Sequence, residues 1–211
     1  MTNKNGASGL VLGGRPIDID EAWTRVFRYC GLPWDDNPPE TWAFRYFDAI
    51  DTDPAVVTSQ DVVCAGALHP GLSRDDLTYF WDRRDELNEW LDRVPPDLRL
   101  EGADDETIAL LSELPSLFQG SSLSLVSKVL HRKRPWLVPM IDPEVIDWYR
   151  PLTGQRRALD AWSPLLRRLA DDLRTNRDRL AELRLVLRVL HGLSVTDLRT
   201  VDIVIWMGGQ R

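Results

Sequence analysis

Apolar residues recur along this chain at helical spacing, and the interruptions carry helix-stop chemistry. Ala22, Trp23, Val26, Phe27 and Cys30 fall on one stripe of a helix over 21–30, and Gly31 suits the left-handed position after its end. A Pro-rich loop over 32–40 precedes a helix over 41–50. Thr58 with Asp61 and Ser73 with Asp76 have the spacing of reciprocal N-terminal caps. The first opens a helix to about Leu68. The second opens a longer one carrying Leu77, Phe80, Trp81, Leu87, Trp90, Leu91 and Val94, stopped by Pro95-Pro96.

Further helices are expected over 105–114 and 122–131, and from Asp142-Pro143, where Asp suits the cap and Pro the first turn. Ser163-Pro164, Thr175-Asn176 and Ser194 to Asp197 are expected to open the last three, with Gly192 and Gly208-Gly209 as stops. The fold class is therefore all-α, a compact multi-helix bundle. Residues 1–15, rich in Gly, Ser and Asn, are expected to be a flexible segment, and 16–211 a single helical domain. No fixed-period repeat is visible.

Charge refines this picture. Residues 1–127 hold 10 Lys/Arg and 23 Asp/Glu, a net −13, whereas 128–211 hold 16 and 10, a net +6. Acidic (16–115) and basic (116–211) lobes follow, either attracting each other internally or leaving the basic one for an anionic partner. No apolar run approaches the roughly 20 residues of a membrane span, and the N-terminus lacks signal-peptide character, so a cytoplasmic location away from membranes is expected. Cys30 and Cys64 read as buried free thiols. Trp23, Trp81, Trp90, Trp162 and Trp206 lie on apolar stripes and are expected in the core, while Trp34 and Trp136 stand beside prolines in loops.

The richest segment runs from Gln119 to Val145. A turn at Gly120-Ser121-Ser122 joins two helices, a cluster of Lys128, His131, Arg132, Lys133 and Arg134 ends the second, and an apolar crossing leads to Asp142. The cluster either contacts phosphate, or complements the negative end of its own helix and pairs with the acidic lobe. Asp142 is either a cap or a reactive acid. No metal-binding, nucleotide-binding or Ser-hydrolase motif appears, and neither a cofactor nor a metal is expected.

This segment resembles the helix-hairpin-helix DNA glycosylase superfamily, with its L-P-G-x-G-x-x-x-A and P-x-x-D-x-x-V patterns. Gly120 falls on the first hairpin glycine, Asp142 lies 22 residues on at the catalytic aspartate, and Pro139 and Val145 complete the second pattern. The resemblance implies that backbone N–H groups at Gly120, Ser121 and Ser122 hold a DNA phosphate. It also implies that a base is flipped out and that Asp142 stabilises charge on the sugar or activates water. Ser124 stands where lyase-active members carry lysine, so an enzyme here resembles the monofunctional, water-using N-glycosidic hydrolases. Ser122, Gln119 and Val126 depart from the pattern's second glycine, proline and alanine. The run K-V-L-H-R-K-R-P-W-L-V-P resembles an uncharacterised actinobacterial family of unknown function. DNA or another phosphate-bearing ligand is the expected partner; the alternative is a non-enzymatic helical interaction or regulatory module that keeps only the fold.

Overall fold

The computed structural model describes residues 9–33, 42–68, 71–117 and 123–209. They form an all-α bundle preceded by one short hairpin. Strands β1 (Leu10–Leu12) and β2 (Arg15–Ile17) pair antiparallel, Leu10 opposite Ile17 and Leu12 opposite Arg15. Gly13 and Gly14 make the turn at φ 59° and 74°, the left-handed geometry that a two-residue hairpin needs. Leu10, Leu12 and Ile17 are buried in the main core. Residues 10–15 are thus part of the packed body, which corrects the expected flexible segment there; residues 1–8 lie outside the described set.

The helices are α1 (Ile19–Cys30), α2 (Trp42–Phe47), α3 (Ser59–Gly66), α4 (Arg74–Arg93), α5 (Asp105–Ser112), α6 (Leu114–Leu117), α7 (Leu123–Lys133), α8 (Pro143–Thr153), α9 (Ala158–Thr175), α10 (Arg177–His191) and α11 (Asp197–Gly209). A 3-10 turn spans Leu100–Gly102. Both expected capping boxes are formed, at Thr58/Asp61 and Ser73/Asp76, and Gly31 and Gly192 end α1 and α10 in the left-handed conformation. Among the described residues no helix is long and apolar enough to cross a membrane.

Two starts differ from the sequence reading. Helix α9 begins at Ala158 and carries Pro164 inside it, because Trp162, fully buried with its indole N–H on the Leu111 carbonyl at 2.8 Å, anchors a turn ahead of the proline. At α10, Asn176 occupies the cap position but gives its amide to β1: Nδ2 donates to the Val11 carbonyl and Oδ1 accepts from the Val11 N–H, each at 2.8 Å. The cap of α11 is Thr196, whose hydroxyl accepts from Arg199 N–H at 3.1 Å.

Helices α7 and α11 run through the middle of the bundle. Nearly every residue of each is buried, polar ones included. Helix α7 lies on α3, and α11 lies against α1, α8 and α10. At the α1–α11 contact a Cβ on Gly208 would meet the end of the Arg25 side chain, which donates to the Val204 carbonyl at 2.7 Å. Of the five tryptophans expected in the core, Trp90 and Trp162 are fully buried, Trp23 and Trp206 half-buried, and Trp81 is 72% exposed. Trp34 lies outside the described residues.

Candidate functional site

A buried polar group must find a partner, so the cations of α7 identify what surrounds them. Arg132 donates from Nε to Asp61 at 3.2 Å, from Nη2 to the Ile50 carbonyl at 3.0 Å, and from Nη1 to the Phe47 carbonyl. Lys133 donates to Thr52 Oγ1 at 2.6 Å and the Asp53 carbonyl at 2.8 Å, and lies 2.5 Å from Asp61. Arg134 donates to the Leu91, Val94 and Pro54 carbonyls at 2.6–2.7 Å, closing the C-terminal end of α4. His131 Nδ1 lies 2.7 Å from the Val138 carbonyl, and burial, with the Arg199 charge, holds its imidazole down at about 4. It is therefore neutral and donates from Nδ1.

All four side chains are closed to solvent and occupied within the fold. Their placement departs from a phosphate-facing cluster. Arg132, Lys133 and Arg134 tie the end of α7 to residues 47–94, mostly through backbone carbonyls, with Asp61 as the carboxylate among these partners. Gly120, Ser121 and Ser122, the expected phosphate-holding turn, lie outside the described residues.

Lys128 is different. One turn earlier on α7, its ammonium donates to Ser124 Oγ at 2.7 Å and borders a small crevice that Asp142, Asp202, Arg199, Tyr29 and Trp206 also border. Burial pushes its pKa down, against the charges of Asp142 and Asp202. Asp142 caps α8, with Oδ1 accepting from Val145 N–H at 3.1 Å, and also forms the crevice wall. The cap reading of Asp142 is thus met by the geometry, and the same residue borders the crevice. Its position is set from α7: Ser127 Oγ accepts from the Ile141 N–H and donates to the Ser124 carbonyl, each at 3.0 Å.

The far wall belongs to α11. Arg199 donates from Nε to Asp48 Oδ1 at 2.9 Å and from Nη1 to Asp202 Oδ2, and its guanidinium lies 4.9 Å from the centre of the Tyr29 ring. Tyr29 donates its hydroxyl hydrogen to Asp48 at 2.7 Å. Asp48, Tyr29 and Asp202 keep Arg199 charged against its burial. Asp202 Oδ1 is buried with no hydrogen-bond partner among the described residues. Burial, reinforced by Asp142 and Asp48, pushes the Asp202 carboxyl up to about 7 despite Arg199 and Lys128. The crevice thus brings together a carboxyl group that titrates near neutrality, an amine and a second carboxyl group, residue types able to donate and accept protons. Its free volume is about 20 Å³, room for a water-sized occupant.

The family model for DUF6308, a family of unknown function, matches residues 22–209. The chain belongs to this family. The DUF6308 match takes in every crevice residue and leaves β1 and β2 outside it. No curated protein and no solved structure matches the chain.

Sequence reasoning found Ser124, Lys128 and Asp142 and missed Asp48, Tyr29, Arg199 and Asp202. A signal did exist: Asp202 interrupts an otherwise apolar run, Val201 to Met207, and Arg199 stands one turn before it. A charged pair on a helix buried all round needs partners inside.

Proposed function

We propose that the protein binds nucleic acid on a glycosylase-like helical frame, with Asp142 and Lys128 facing the bound strand at the crevice. The observation that supports this is the double position of Asp142, a helix cap that also borders an enclosure shared with Lys128 and the unpartnered Asp202 oxygen. If the protein is an enzyme, Asp142 stabilises positive charge developing on a sugar or takes a proton from water, as an N-glycosidic hydrolase requires. Ser124 has no amine to attack the sugar and instead holds the Lys128 ammonium. A water-sized crevice must open to admit a base.

That size, together with the internal engagement of Arg132, Lys133 and Arg134, favours a second reading: a non-enzymatic interaction module that keeps the frame alone. Titration of a labelled duplex containing an abasic site, at two salt concentrations, separates the two. The first reading expects binding that weakens with salt and an altered affinity in Asp142→Asn. Absence of binding at both concentrations removes it.

A further inference from the structure

Four arginines converge away from the crevice. Arg99, Arg174, Arg177 and Arg184 border a groove of about 690 Å³ where the end of α9, the first half of α10 and the 3-10 turn meet. Arg177, Ala181 and Arg184 follow one face of α10, so two guanidinium groups flank a small residue. Glu101 and Asp197 are the carboxylates at the edge, leaving the lining with two positive charges in excess. Arg184 lies 2.5 Å from Asp197, and Arg99 3.5 Å from Glu101. Arg174 reaches Asp171 at 2.5 Å and the Glu101 carbonyl at 2.9 Å. Arg177 is exposed and makes no ion pair among the described residues.

Two further features prepare this groove for an anion. The Trp136 indole carries the Arg99 guanidinium 3.9 Å from its ring centre and that of Arg184 at 5.1 Å. Stacking on one ring fixes the flat faces and leaves N–H edges available, so less side-chain freedom is lost when an anion arrives. In addition, Arg177 is the first residue of α10, and the cap residue Asn176 sends its amide to β1 instead of to the first-turn N–H groups of α10. The first-turn N–H groups of α10 are thus left without a side-chain cap beside Arg177, while the C-terminal end of α9 at the same junction offsets their positive field. Gathering like charges costs repulsion, and in a protein of net charge −7 this excess is local.

We infer that this groove is a phosphate-binding site for a ligand carrying at least two phosphates. A single phosphate would engage only part of an arginine set spread over this volume. A nucleic-acid backbone and a free polyphosphate share the required chemistry. The site stands on its own geometry and holds whether or not the crevice at Asp142 acts on nucleic acid.

The test uses the full chain, inorganic pyrophosphate by calorimetry and a labelled single-stranded oligonucleotide by anisotropy, at low and moderate salt. Arg177→Ala is compared with Arg83→Ala, a half-buried arginine of α4 paired with Glu86. The expected result is binding that Arg177→Ala weakens roughly tenfold, with the salt slope lowered by about one, and that Arg83→Ala leaves within about twofold. Arg177→Glu should weaken it further, and an acid at the start of a helix should leave its melting curve intact. Arg174→Ala repeats the comparison from α9. Oligonucleotide binding without pyrophosphate binding assigns the site to a nucleic-acid backbone; pyrophosphate binding without oligonucleotide binding assigns it to a free polyphosphate. No binding of either at low salt, or equal weakening by Arg177→Ala and Arg83→Ala, overturns the inference.

Discussion

Lys133 and Asp61 meet at 2.5 Å with both side chains closed to solvent, the ammonium at 0% exposure and the carboxylate at 1%. Asp61 is also the capping-box acid of α3 and accepts from Arg132 and Thr52. One carboxylate therefore fixes the start of α3, the end of α7 and the loop after α2. A buried pair of this kind gives little net stability against an apolar replacement, but removing one partner leaves a charge uncompensated.

Asp61→Ala should accordingly destabilise the fold by about 3–5 kcal/mol, read from urea unfolding. A loss below about 1 kcal/mol would show that water compensates the stranded cations. Burial alone would raise the Asp61 carboxyl, but hydrogen bonds from Lys133, Thr52 and Thr58 outweigh it and hold it at about 2. The ordinary value is about 4. A lowered folded value means stability that is complete above the ordinary value and is lost as pH falls through the folded one. Melting temperature should therefore drop between about pH 4 and 2, with a smaller drop in Asp61→Asn.

Asp202 has the opposite sign. Its carboxyl is raised to about 7, so the folded chain keeps a proton that the unfolded chain releases near pH 4. The stability it contributes is complete below about pH 4 and is lost as pH rises to about 7. Asp202→Asn retains an oxygen for Arg199 and cannot titrate. The difference in stability between variant and wild type should grow in favour of Asn between about pH 4 and 7 and then level off. Parallel pH profiles would mean that Asp202 titrates as an ordinary carboxyl group.

The helical frame was legible because caps and stops are local chemistry. Thr58, Ser73, Asp142 and Gly31 each act within a turn of their own position. The hairpin was also written locally, in the apolar pairs around Gly13-Gly14, but the flanking Gly and Ser obscured it. Asn176 and Pro164 misled because tertiary partners, Val11 and the buried Trp162, outweigh local preference at those positions. The site was half legible. Lys128, Ser124 and Asp142 lie in one segment, whereas Tyr29, Asp48 and Asp202 meet them only through the packing of α1 and α11. Density of positive charge proved a poor guide to exposure: the sequence groups Arg132 to Arg134, but a helix at the centre of a bundle turns such residues inward to carbonyls. Three of the groove's arginines, Arg174, Arg177 and Arg184, fall within eleven residues of sequence, and Arg99 joins them only through the packing of the 3-10 turn on α9.

Asn176 should hold the hairpin to the bundle. Its amide imitates a neighbouring strand toward Val11, while Gly13 N–H donates to Asp172 at 2.6 Å and the Trp148 indole donates to the Leu12 carbonyl at 2.8 Å. Asn176→Ala removes both Val11 bonds and should cost about 1–3 kcal/mol. Amide exchange should accelerate at Val11 while Gly13, still held by Asp172, changes less. Uniform acceleration over both would show that the hairpin opens as one unit.

Ser127 should matter more than its size suggests. Its hydroxyl is the buried link between α7 and the crossing that delivers Asp142, and it is the acceptor for the Ile141 N–H. Ser127→Ala leaves that N–H buried without this acceptor, at a cost of about 1–3 kcal/mol. For a chain of this length each kcal/mol lowers the melting temperature by roughly 2–4 °C. Local loosening should appear as faster exchange at Ile141 and Val145, whereas the Leu91 amide on α4 should respond only through global unfolding. Equal acceleration at all three sites would mean that the hydroxyl contributes to overall stability without positioning Asp142.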